Sequence, residues 1–186
     1  MRLMPQCIFC EELGEPVELP ADCQECPQCS MPPFSGMMFD QERKEDADRM
    51  EREGDLNGAW EILSEEWMSH TDMDYYDDEM ANRIQGWIYD LFERNPGMID
   101  QRVEMKLMQM SSLHYWEFHN DALKEAEDAM RIARENGRPD LELDALERHG
   151  SIQSQRYGGI ENMPQFEDFS RYRDEIRQRL NSEAGP

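Results

Sequence analysis

"DALKEAEDAMRIARENGRPDLELDALERHGSIQSQRYGG" (residues 121–159) decides the fold. In its first half Ala122, Ala126, Ala129, Met130 and Ala133 return at three- and four-residue steps, the period of one helix face. "ENG" (residues 135–137) stops that helix. Pro139 opens the next one, where a missing N–H costs nothing, and the run continues to Tyr157 before a glycine pair.

The same period extends outward in both directions. Upstream, a first segment carries Leu56, Ala59, Trp60, Leu63 and Trp67. A second carries Tyr76, Met80, Ile84, Trp87, Ile88, Leu91 and Phe92, with Thr71 and Asp74 as a capping box and "NPG" (residues 95–97) as its end. A third, over residues 100–118, shows Val103, Leu107, Met110 and Trp116 on one side and Met105, Met108 and Tyr115 on another, which predicts burial of both faces. Downstream, a sixth opens near Pro164 and carries Phe166, Phe169, Tyr172, Ile176 and Leu180. The expected fold class is mostly α: six helices in three pairs starting near residues 55, 100 and 139, a spacing of about 40 residues that suits a helical repeat.

Residues 121–159 resemble tetratricopeptide repeats of the longer-loop kind. The small residues Ala122, Ala126 and Ala129 stand where that family packs one unit on its neighbour, and Leu146, Gly150 and Tyr157–Gly158 approximate the next unit's first helix. The resemblance covers residues 100–181 best and residues 55–95 weakly. It implies an α-solenoid over residues 55–181, with an irregular helical bundle as the alternative, and a tail at residues 182–186 expected to be disordered. It also implies a concave face lined by the first helix of each pair. Polar residues there that a core does not need are the expected partner contacts: His114, His149, Gln153 and Arg156.

The N-terminal 36 residues are of another kind, poor in helical period and rich in Pro, Gly and Cys. All five cysteines of the chain lie here: Cys7, Cys10, Cys23, Cys26 and Cys29. In a reducing cytosol, clustered cysteines point to metal before disulfide. Two Cys-x-x-Cys turns make a tetrahedral four-thiolate site. Cys7 and Cys10 supply one turn, and either Cys23–Cys26 or Cys26–Cys29 the other. Pro27 fixes φ inside the latter turn, and "CPQC" (residues 26–29) resembles the second knuckle of zinc-ribbon and rubredoxin-like modules. The expected ligands are therefore Cys7, Cys10, Cys26 and Cys29, with Cys23 as the alternative ligand, around a short β-hairpin. Zn²⁺ is the expected ion, and Fe the alternative that four thiolates also accept. No His lies in residues 1–36, so the site reads as structural, not catalytic. Residues 37–54 are expected as a charged linker built of helix formers.

The 186-residue chain has 42 acids against 19 bases, a formal charge of −23. Such a surface repels phosphate backbones and anionic membranes, which argues against nucleic acid and favours a basic protein partner or a salty cytosol. No apolar run approaches the length of a membrane span, and no leader is visible, so the expected location is cytoplasmic. No phosphate loop, nucleophile elbow or carboxylate pair with a matching base appears, so a non-enzyme is expected. His114 and His119, five residues apart, would diverge by about 140° on a regular helix and could not chelate together. The reading is an adaptor that binds a peptide or helix of a partner. The alternatives are a transcription-associated ribbon and a rubredoxin-like iron or thiol redox module.

Overall fold

The computed structural model describes residues 36–72 and 75–183, with side chains over residues 41–71, 77 and 79–182. The five cysteines and the expected ribbon hairpin lie outside the described residues. What is described is a helical domain of seven helices: α1 (Gly36–Glu53), α2 (Leu56–Ser69), α3 (Asp78–Arg94), α4 (Ile99–Tyr115), α5 (His119–Glu135), α6 (Pro139–Tyr157) and α7 (Phe166–Glu183). Two-residue strands, β1 (Thr71–Asp72) and β2 (Tyr75–Tyr76), pair antiparallel between α2 and α3 with Thr71 opposite Tyr76. Among the described residues no helix is long and apolar enough to cross a membrane.

The chain divides into two compact units at Glu66–Trp67, within α2. In the first, the charged stretch is helix α1. Its Arg43 reaches α2, donating to Glu66 and Glu65 at 3.2 Å each, and its Ala47 is buried. Asp55 accepts from the Gly58 amide at 2.9 Å, satisfying one of the donors a helix start leaves open.

In the second unit, α3 begins later than the capping box Thr71–Asp74 predicts. The cap is Asp77, whose carboxylate accepts from the Met80 amide at 3.0 Å. Thr71 instead turns its hydroxyl back to the carbonyls of Trp67 and Met68, where α2 ends. A hydroxyl beside open carbonyls is as well satisfied there as at a cap.

From α4 onward each helix packs on the next. α3 touches α4 where Tyr89 donates to Gln109 at 3.1 Å and where Arg102 covers the Phe92 ring. Lys106 joins α4 to α5 through Glu125 at 2.7 Å. Arg138, just before α6, pairs with Asp140 and reaches Asp100 at the start of α4. The core of this unit draws Val103, Leu107 and Met110 from α4, the alanines of α5, Ala145, Leu146 and Ile152 from α6, and Phe169 and Ile176 from α7. Ala122, Ala126, Ala129 and Ala133 are fully buried, and side chains that stop at Cβ let two neighbours approach α5 closely.

α4 is buried along most of both predicted faces, since Val103, Met105, Leu107 and Met110 are all enclosed. Tyr115 and Trp116 are not: both are exposed, with Phe118 beside them. The helix ends before the stripe does. Glu117 takes φ 65°, in the left-handed region, and carries the last residues of the stripe out of the core. At the far end of α6, Gly158 takes φ 71° as the left-handed cap, a conformation its missing Cβ makes inexpensive.

Candidate functional site

A cavity of about 490 Å³ opens where α5, α6 and α7 meet. Its α6 wall is Leu146, His149, Gln153 and Tyr157, spaced so that all four share one helix face. Its α7 wall is Asp168, Phe169 and Tyr172, with Gln165 just before the helix. Met130 and Glu127 close it from α5, and Met163 from the turn before α7. Met130, Leu146, Met163 and Phe169 are buried, so much of the lining is apolar.

Two polar atoms in these walls have no partner. His149 Nδ1 and Gln153 Oε1 are both shielded from solvent and make no hydrogen bond. A buried polar atom left in this state costs about 1–3 kcal/mol, so native proteins rarely keep one without a reason. The charged residues of the lining are both acids, Glu127 and Asp168, and Arg171, outside the lining, donates to Asp168 at 2.6 Å. Burial holds the His149 imidazolium at a lower pKa than usual, an effect Glu127 only partly offsets from 3.9 Å. The ring is therefore neutral near pH 7, and the cavity keeps its negative sign.

One wall is braced from behind. Tyr172 donates its hydroxyl to Glu142, which is fully buried. Arg134 reaches the same carboxylate at 2.8 Å and stacks 5.1 Å from the Tyr172 ring centroid, while Arg179 holds the other oxygen at 2.6 Å. Burial alone would raise the Glu142 pKa, but the Tyr172 hydroxyl and the two guanidiniums outweigh it and hold the carboxyl below its usual value.

The four expected partner contacts divide between two places. His149 and Gln153 line the cavity. His114 and Arg156 lie at the α4–α5 turn, where Arg156 donates to Asn120 at 3.0 Å and His114 meets Gln155 and His119. Reading the sequence alone misses Glu127, Asp168, Phe169 and Tyr172 as lining residues. The first two look like ordinary surface acids, and the aromatics are indistinguishable from core. Among the described residues, no group of three or more His, Cys, Asp or Glu side chains is placed to hold a metal ion. The chain matches no protein-family model, no curated protein and no solved structure.

Proposed function

We infer that this protein is a non-enzymatic adaptor whose tetratricopeptide-like helical surface binds a peptide or helix of a basic protein partner. The observation that carries this reading is the α5–α6–α7 cavity: apolar walls, two acids, and the unpartnered Nδ1 of His149 and Oε1 of Gln153. A Lys or Arg side chain suits it. The methylene stem would lie against Met130, Leu146 and Phe169, and the cationic head would meet Glu127 and share or take over Asp168 from the exposed Arg171. A small adjustment of the Gln153 side chain would offer its oxygen to the same head, relieving the cost of leaving it unpaired. The repeat reading is supported by the stepwise packing from α4 to α7 and by the link between Arg138 and Asp100, which ties the start of α6 to the start of α4.

In this account the N-terminal cysteines form a zinc module with a structural role: Cys7, Cys10, Cys26 and Cys29 would hold the ion, with Cys23 as the alternative ligand. Below about 40 residues a module cannot bury enough core, so the metal would supply its folding energy. Binding of a lysine- or arginine-bearing decapeptide tests the function. The reading expects binding that survives 150 mM salt (about the physiological range) and weakens on Gln153→Ala with Asp168→Asn. Equal binding by wild type and double variant would remove the cavity from the account.

A further inference from the structure

On one unbroken helix His114 and His119 would point about 140° apart. The chain does not stay helical between them. α4 closes at Tyr115, Glu117 takes φ 65°, and α5 starts at His119 itself. The reversal turns the two imidazoles toward each other: their centroids are 5.0 Å apart and Nδ1 of His114 lies 3.1 Å from Nδ1 of His119. From the other side, His114 Nε2 lies 3.0 Å from Gln155 Oε1 on α6. A carboxamide oxygen only accepts, so Nε2 of His114 carries the hydrogen and its Nδ1 presents a lone pair. In the neutral pair, Nδ1–H of His119 donates to that lone pair.

We propose that this turn is a chelating site for a borderline divalent transition-metal cation, Zn²⁺ or one of its neighbours, bound by Nδ1 of His114 and Nδ1 of His119. Imidazole nitrogens suit that class of ion. With metal–nitrogen bonds of about 2.0–2.1 Å and a tetrahedral angle, two ligand nitrogens sit about 3.3 Å apart. The observed 3.1 Å needs a shift of a few tenths of an ångström, with each ring turning by about 35° so that its lone pair aims at the ion and not at the other nitrogen. The His114–Gln155 bond is the outer hydrogen bond that fixes tautomer and ring orientation in histidine metal sites. To ligate, His119 carries its proton on Nε2 instead of Nδ1, a change of tautomer that leaves both rings neutral. Both side chains are half-buried, so water can fill the remaining positions. Two protein donors make an exchangeable site, distinct from any thiolate site in residues 1–36.

The full chain, preloaded with one equivalent of zinc and desalted, is titrated with further Zn²⁺ at pH 7.5. The imidazole nitrogen resonances of all four histidines are followed by NMR. The expected result is that His114 and His119 shift together and saturate at one further equivalent. His119→Gln abolishes the response, and Gln155→Ala, which removes only the positioning bond, weakens it by about 10- to 100-fold. An unchanged His149 signal reports that each variant is folded. Three results would overturn the proposal: no response of either ring at tenfold excess, an equal response of His70 and His149, or unchanged affinity in His119→Gln.

Discussion

Gly150 lies directly under the ring of Phe169: a Cβ at Gly150 would stand 2.5 Å from Phe169 Cζ and 2.8 Å from Cε2. Real carbon atoms do not approach so closely, so α6 and α7 can cross here only because residue 150 has no side chain. Phe169 is also a wall of the cavity. The packing of one glycine therefore sets the shape of the candidate site.

Gly150→Ala is expected to destabilise the helical domain by about 1–3 kcal/mol, the usual cost of overpacking a core. Urea unfolding measures it. Phe169→Leu in the Gly150→Ala background should recover part of the loss, since neighbours that share a contact are not additive. Full additivity of the two changes would mean the ring and the glycine do not press on each other.

Glu142→Ala removes the acceptor shared by Tyr172, Arg134 and Arg179. The two arginines are about half exposed and can rehydrate, so the expected loss is about 2–3 kcal/mol, below the full cost of breaking a buried pair. The folded carboxyl titrates below its usual value of 4.5. Its stabilisation is thus present above that pH and lost as pH falls through the folded value. Acid unfolding of wild type and Glu142→Gln checks the sign: the variant should start weaker and lose less below pH 4.5.

His149 works over a higher window. Its folded pKa lies below the usual 6.5 because burial disfavours the charged ring. The unfolded chain then binds the proton first, and stability falls as pH drops from above 6.5 toward the folded value. Thermal unfolding from pH 7.5 to 5.5 should show this slope, and His149→Gln should flatten it. An unchanged slope in the variant would assign the effect to another group.

After desalting, which strips the exchangeable His114–His119 site, zinc content should be one ion per chain, lost in Cys7→Ser or Cys29→Ser and kept in Cys23→Ser. Loss in Cys23→Ser with retention in Cys29→Ser would select the other turn. Chelation should leave the helical circular-dichroism signal of α2–α7 nearly intact, because apolar burial and not metal holds those helices. A cooperative loss of helix on chelation would couple the two parts.

Helix positions were legible because their signals are local. Alanine spacing in α5, Pro139 at the start of α6 and the glycine pair after Tyr157 each act within a few residues. Gly150 was legible as a pattern element, although its reason, the Phe169 ring, lies on another helix. The cavity was half legible. His149 and Gln153 stand out as polar residues on an apolar face, whereas Glu127 and Asp168 acquire meaning only when three helices meet. The His114–His119 approach was hidden because five-residue spacing separates side chains on a regular helix, and nothing local announces that Glu117 will break it. Glu142 was hidden too: an acid in the first turn of a helix is expected from the macrodipole, and its burial comes from α7.

The most direct test of the account places a photo-crosslinking residue at Gln165, exposed at the cavity wall, and in a second protein at Glu104, exposed and outside the lining. Both proteins are irradiated in native extract, and the adducts are sequenced. The account predicts that position 165 captures a protein through a segment bearing Lys or Arg, that position 104 does not, and that Gln153→Ala with Asp168→Asn abolishes the adduct. The same adducts from both positions, or adducts at 165 that persist in the double variant, would contradict it.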